Sequence, residues 1–326
     1  MRVFSGIQPT GSLHLGNLLG AVRNWVDIQH ESDAIFCVVD LHAITLPQDP
    51  ATLREATVDL ARLLVACGLD PEVCILFVQG HVPAHTELGW LMECTASFGE
   101  LRRMVQFKDK SDKAEFTSAA LFTYPALQAA DILLYDTNQV PVGEDQRQHL
   151  ELARDVALRF NHRYGDTFVV PEAVIPRAGA RVMDLQNPSN KMSKSADSDS
   201  GTIYALDDLK AVERKIKRAV TDSDAEVRFD IAAKPGVSNL LSILAAVTGR
   251  EPEAIADDYE QYGPLKKDTA EAVVEFLRPI QARHHELAGD RAATDEILRR
   301  GAEKASAIAV PVLDRARHAI GLLART

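Results

Sequence analysis

The sequence predicts an α/β protein with a parallel sheet and an α-helical C-terminal region. Three observations carry this: short apolar runs alternate with segments of helical period over the first two-thirds of the chain, strand signals end near residue 205, and helical periodicity continues to about residue 322. The 326 residues suffice for about two domains, each with an ordinary core.

Arg2 to Ile7 reads as a strand, and Gln8-Pro9-Thr10-Gly11-Ser12 as the turn that ends it, because Pro and Gly supply the dihedrals of a reversal. A helix is expected to start from a Ser12 cap, with Leu15, Leu18, Leu19, Val22 and Val26 at helical spacing and Gly16 and Gly20 leaving one side bare. Ala34 to Val39 is a second strand, residues 51–67 a helix stopped at Gly68, and Val73 to Val78 a third strand. Helices follow over 84–98, 117–135 and 144–162, the last entered from a short strand, Gln139 to Val142. Residues 186–201 are a polar loop by composition. Residues 206–220, 237–248, 266–288 and 291–322 are helical, with Gly or Pro at their borders.

Composition excludes several classes of function. No run of 18 apolar residues is present, so a membrane-spanning role is excluded. Met1 to Gly6 lacks the features of an export signal, and a cytoplasmic location is expected. Cys37, Cys67, Cys74 and Cys94 sit in apolar surroundings with no C-x-x-C pair, which reads as buried hydrophobes rather than a zinc site or disulfide framework. A net charge of −11 opposes indiscriminate binding to polyanions, so a nucleic-acid partner requires a local basic patch. Lys210, Arg214, Lys215, Lys217 and Arg218 offer one, although Asp207, Asp208 and Glu213 dilute it and a solvated face reads the same.

Ligands of open α/β sheets sit beyond the carboxyl ends of the strands, where helix N-termini attract phosphate. Gln8 to Asn17 is the first such place, with Gly11 and Gly16 for backbone approach and His14 and Asn17 as donors; a capped surface helix would look alike. Lys191 to Ser195 is the second. Its two ammonium groups, three residues apart on a polar loop, suit a leaving pyrophosphate, and a loop that closes as charge develops favours the transition state. By composition alone the segment also fits a solvated linker.

His14-Leu15-Gly16-Asn17 and Lys191-Met192-Ser193-Lys194-Ser195 resemble the two signatures of the class I aminoacyl-tRNA synthetases. Ser5 to Gly11, Val39 to Thr45 and Pro141 to Gln146 extend the resemblance to the bacterial tryptophanyl branch of that family, and it runs on through Ala219 to Ser223 and Lys234 to Gly236. The resemblance implies a Rossmann-like catalytic domain over 1–204, binding ATP and tryptophan, and an α-helical tRNA- and anticodon-binding region over 205–326. It implies tryptophan–tRNA ligation by way of tryptophanyl-adenylate, with tRNA(Trp) as partner, Mg2+ carried by ATP, no resident metal, and a homodimer.

Lys191, Lys194 and Asn17 would then be catalytic. ATP would be held by Gln8, Pro9, Thr10, Gly16, Asn17, Gly143, Glu144, Asp145, Val182, Lys191, Met192, Ser193, Lys194 and Ser195, with Gly143, Glu144 and Asp145 reaching the ribose. Tryptophan would be held by Phe4, His42, Tyr124, Asp131, Val140, Val142 and Gln146. Lys108 and Lys110 form a further basic loop that either approaches the triphosphate or is a solvated turn.

Two positions depart from the family pattern. Asn17 stands where many class I enzymes have a second His; it keeps a donor but no charge, which shifts electrostatic work to the lysines and magnesium. Gln128 stands where an apolar residue such as Met is expected. Asp131, an acid in the apolar run Tyr124 to Leu134, is costly to bury unpaired. It either reads the indole N–H, a donor without an acceptor, or pairs with a basic side chain or caps a helix. The rival readings are a tyrosine-specific sibling, a small-molecule nucleotidylyltransferase and a catalytically silent tRNA-binding relative.

Overall fold

The computed structural model describes all residues except 105–116, 142, 144, 145, 175–180, 194–198, 225, 325 and 326. Strands β1 (Arg2–Ile7), β2 (Asp33–Val38), β3 (Ile75–Val78), β4 (Gln139–Pro141) and β5 (Glu172–Val174) form one parallel sheet in the order β3-β2-β1-β4-β5. β1 and β2 run in register from Arg2 opposite Asp33 to Ile7 opposite Val38, and β1 meets β4 through Val3 and Gln139. Strand order therefore reverses between β1 and β4, and the crevice at their carboxyl ends is the switch point of a Rossmann-like sheet.

Alternate strand residues enter different cores. Phe36, Val38, Leu76 and Val78 pack on one face, while Ile35, Cys37 and Phe77 pack on the other. Both faces are covered, which is why β2 and β3 read as unbroken apolar runs.

The first helical segment comprises α1 (Leu15–Asn17), a π-helical stretch (Leu18–Val22) and α2 (Arg23–Ile28). Its cap is His14, not Ser12: the ring Nδ1 of His14 accepts from the Asn17 N–H at 3.3 Å. The start is displaced because 13–15 lie extended against 203–205, with the Ala205 N–H donating to the Leu13 carbonyl and the Leu15 N–H to the Ile203 carbonyl, both at 2.8 Å. After β2 come α3 (Asp40–Ala43) and α4 (Pro50–Ala66), the latter capped by Asp49. β3 is shorter than expected because the N–H groups of Val73 and Cys74 turn back to the Asp70 carbonyl. The helix expected over 84–98 is broken into α5 (Ala84–Thr95) and α6 (Phe98–Arg102), since Ser97 and Glu100 form a capping box between them. α7 (Ala119–Leu133) and α8 (Arg147–Tyr164) flank β4. β5 was not foreseen; it is three residues long, follows Pro171 and lies at the sheet edge, so it lacks the length of a strand signal.

The C-terminal helices are α9 (Leu209–Lys217), α10 (Pro235–Thr248), the unforeseen short α11 (Pro252–Ala256), α12 (Tyr262–Ala288) and α13 (Arg291–Ile320). Val212, Ile216, Leu240, Leu241, Val273 and Leu277 share the core of α1, α2 and α4. α13 passes the sheet edge: Leu298 enters that core, and Ala305, Ala309, Val312 and Ala316 enter the opposite one. At the crossing, a Cβ on Gly301 would stand 1.8 Å from the Leu76 carbonyl oxygen, so helix backbone lies directly on β3 and covers the sheet edge. Lys234 is buried and donates to Asp222 at 3.0 Å, to Asp224 at 3.3 Å and to the Tyr262 hydroxyl at 3.1 Å, clasping two segments that are distant in sequence. Of the cysteines, Cys37 and Cys74 are buried as expected, but Cys67 is half-buried and Cys94 exposed. Burial pushes the Cys67 thiol up to about 12.

Candidate active site

The chain brings its two signature loops together at the carboxyl end of the sheet. Residues 182–184 and 190–192 pair as an antiparallel ladder, with the Met192 N–H donating to the Val182 carbonyl at 3.1 Å and the Asp184 N–H to the Asn190 carbonyl at 2.9 Å. Val182 and Met192 are buried under this ladder, while Lys191 is exposed. Thr202 donates to the Ser193 carbonyl at 3.3 Å, just before 203–205 pair with the first loop. Pro9 is buried, Thr10 and Asn17 are half-buried, and Gln8 is exposed. The Asn17 side-chain oxygen Oδ1 accepts from the His14 N–H at 3.2 Å, and its NH2 group makes no hydrogen bond among the described residues. It remains a donor for a ligand.

A cavity of about 340 Å³ opens at the switch point. β1 and its turn contribute Phe4 to Gln8, β4 contributes Val140 and Pro141, and His42 enters from α3. α7 presents Tyr124, Gln128 and Asp131, spaced so that one helical face meets the cavity. Gln146 completes the wall, accepting from the Gln128 amide at 3.4 Å. Gln128 thus makes a polar patch where an apolar residue was expected. The Tyr124 hydroxyl lies 2.6 Å from His149 Nε2.

Asp131 is the charged group of this cavity, and it is only 1% exposed. Its Oδ1 accepts from Gln79 Nε2 at 2.6 Å and from His85 Nδ1 at 2.6 Å, and its Oδ2 lies 2.7 Å from His42 Nε2. Burial pushes the carboxyl up, but its interactions with His42 and His85 outweigh this and hold the group well below the usual carboxylate range. Asp131 thus pairs with basic side chains, one of the alternatives the sequence left open, and it also lines the cavity. Oδ2 has one partner among the described residues, which leaves room for a further donor. Apolar walls at Phe4, Ile132 and Val140 beside one carboxylate oxygen suit a flat apolar group with a single N–H.

Val142, Glu144, Asp145, Lys194, Ser195, Lys108 and Lys110 lie outside the described residues, whereas Gly143 is described and exposed. The basic face of α9 is less available than its sequence suggests. Lys215 turns inward to Asp207 and the Thr202 carbonyl, each at 2.8 Å, and Lys217 pairs with Glu213. Sequence reasoning missed Gln79, His85 and Tyr135. Gln79 and His85 follow β3 closely, at the carboxyl end where ligands collect, and that was the signal available. Among the described residues, no group of three or more His, Cys, Asp or Glu is placed to hold a metal ion, and no helix is long and apolar enough to cross a membrane.

A family model described as tRNA synthetases class I (W and Y) matches residues 1–278. The tryptophan–tRNA ligase 1 of Streptomyces coelicolor is 55% identical over 99% of this chain and 97% of its own length. Among solved structures, tryptophanyl-tRNA synthetase from Mycoplasma pneumoniae superposes with a TM-score of 0.92 at 37% identity, over 99% of this chain and 98% of that one. The Campylobacter jejuni tryptophanyl-tRNA synthetase complexed with ADP and tryptophan superposes with a TM-score of 0.85 at 34% identity, over 99% of this chain and 100% of that one.

Proposed function

The chain belongs to the class I tRNA synthetases of the tryptophan and tyrosine branch, and on that premise we propose how its residues carry out tryptophan–tRNA ligation. The enzyme activates L-tryptophan with ATP, forming tryptophanyl-adenylate and pyrophosphate, and then transfers the tryptophanyl group to tRNA(Trp). The reading of the residues rests on one observation: the cavity at the switch point ends on Asp131 and opens where the two signature loops meet.

The indole stacks among Phe4, Ile132 and Val140, with its N–H donating to Asp131 Oδ2. The tryptophan carboxylate oxygen attacks the α-phosphorus, the new C–O–P linkage forms, and the bond to pyrophosphate breaks. No protein nucleophile takes part, so the chain supplies position and charge. Gln8, Pro9, Thr10, Gly16 and Asn17 hold ATP from one side, and Val182 and Met192 anchor the opposite loop. From that loop Lys191 and Lys194 neutralise the departing pyrophosphate, aided by Ser193 and Ser195. Gly143, Glu144 and Asp145 receive the ribose, and Val142, His42, Tyr124 and Gln146 complete the tryptophan site. Mg2+ enters with ATP on its phosphates. In the second step a terminal ribose hydroxyl of tRNA attacks the carbonyl carbon and AMP leaves.

The unit over 1–204 carries this chemistry and 205–326 meets tRNA. The protein works as a homodimer in the cytoplasm; Trp90 and Phe98, 64% and 69% exposed on α5 and α6, are large apolar side chains available to a second copy. Amino-acid-dependent ATP–pyrophosphate exchange tests the assignment. Exchange with tryptophan and not with tyrosine is expected, and the reverse preference would make this a tyrosine enzyme.

A further inference from the structure

Behind the cavity, His85 and Tyr135 are both completely buried and neither lines the wall. His85 reaches forward to Asp131 Oδ1 through Nδ1 and back to the Tyr135 hydroxyl through Nε2, at 2.6 and 2.7 Å. A neutral imidazole has one donor and one acceptor, so the direction of this chain matters. When Nδ1–H donates to the carboxylate, Nε2 accepts from the phenol and every polar atom of the ring is paired. Burial together with the nearby Cys37 and Asp131 pushes the Tyr135 phenol well above its ordinary value, so the hydroxyl keeps its proton and remains a donor.

The second donor to Oδ1 is fixed in the same way. Gln79 accepts the Leu41 N–H on Oε1 at 3.2 Å, which aims its NH2 group at Asp131. Oδ1 therefore receives two donors, the full complement of a carboxylate oxygen, while Oδ2 faces only His42 and the cavity. A partial rotation of the carboxylate would break both Oδ1 bonds at a residue that is only 1% exposed, so the two donors hold its plane. Tyr135 also stacks on Phe4, with ring centroids 5.4 Å apart and planes 10° from parallel, so one side chain supports both the apolar wall and the polar relay.

We infer that His85 and Tyr135 are positioning residues for tryptophan selection, a Tyr–His relay that pins Asp131 so that Oδ2 alone is offered to the indole N–H. This rests on Asp131 being the indole acceptor. The relay acts on discrimination between a ring with an N–H and one without, not on ATP or on the chemical step.

The test compares kcat/KM for tryptophan with that for its analogue carrying sulfur in place of the ring nitrogen, in ATP–pyrophosphate exchange. The ATP KM and the unfolding temperature are measured alongside. The amide nitrogen of Asn lies as many bonds from Cβ as His Nδ1, and that of Gln as many as Nε2. His85→Asn therefore keeps the donor to Asp131, and His85→Gln loses it. Tyr135→Phe removes the hydroxyl and keeps the ring on Phe4, which makes it the variant best able to fold. Tyr135→Phe and His85→Gln should each lower the preference for tryptophan about tenfold, the size of one net hydrogen bond, with the ATP KM unchanged, while His85→Asn retains most of it. An unchanged preference in folded Tyr135→Phe, or equal losses for both substrates, overturns the relay. Asp131→Ala is the reference: if it too leaves the preference intact, the reading of Asp131 has failed, and if it alone abolishes the preference, that reading stands without the relay.

Discussion

Gly16 of the first signature loop lies against Val182 at the base of the second: a Cβ on Gly16 would stand 3.6 Å from the Val182 Cβ and 3.1 Å from the His14 ring. The two loops touch through a residue without a side chain. Gly16→Ala must push the His14 ring that caps α1 aside by a few tenths of an ångström, while its Cβ fills the ordinary contact distance to Val182. Adenylate formation measured by rapid quench should fall at least about tenfold, with tryptophan affinity nearly unchanged and the fold intact. An unaltered rate would mean that the contact does not set the spacing of the loops.

Lys191→Ala and Lys194→Ala should each slow adenylate formation by about 100-fold while tryptophan affinity, measured separately, barely changes. A group that neutralises a leaving pyrophosphate acts mainly in the transition state. Lys191 is exposed and available for this role. Normal rates in both variants would remove the loop from the mechanism.

Gly301→Ala probes the crossing of α13 over β3. The added carbon would collide with the Leu76 carbonyl, which is main chain and cannot swing aside. A loss of about 3 kcal/mol or more in urea unfolding is expected. A loss below about 1 kcal/mol would mean that the helix can ride up at little cost.

Glu100 ties α6 to α8 through Arg159, which holds its carboxyl down at about 2 against the opposing effect of burial. Its folded pKa is depressed, so its stabilisation is fully present above the ordinary value of 4.5 and fades as pH falls from there towards 2. Glu100→Gln keeps the capping box and loses the ion pair. The wild-type protein should exceed it by about 1 kcal/mol at neutral pH, and the difference should shrink steadily below pH 4.5. A gap independent of pH would assign the effect to packing.

Lys215 and its neighbours on α9 should part company when mutated. Arg214 and Arg218 are exposed, and neutralising them should weaken tRNA binding and flatten its salt dependence while leaving tryptophan-dependent exchange intact. Lys215→Ala should instead impair exchange, because Lys215 holds the Thr202 carbonyl next to the segment that pairs with the first loop. Equal effects of the two changes on tRNA binding would return Lys215 to the tRNA face.

What the sequence by itself determined is local in origin. Alternating strand and helix periods, the turn at Gln8 to Ser12 and the lysine loop are each written within a few residues, because backbone sterics and the period of side-chain placement act at that range. Asp131 stood out for the same reason, as one acid in an apolar helical run. Tertiary structure alone decided which neighbours it has. Gln79 and His85 lie 52 and 46 residues away from it, and a His or Gln bound for a buried relay carries the same local pattern as one bound for the surface. β5 exists because β4 offers it an edge, His14 became the cap because 203–205 hold residues 13–15 extended, and Lys215 turned inward because Asp207 was there. Each depends on a partner brought close only by folding, since burial makes an unpaired polar group costly and so selects whichever partner the fold supplies.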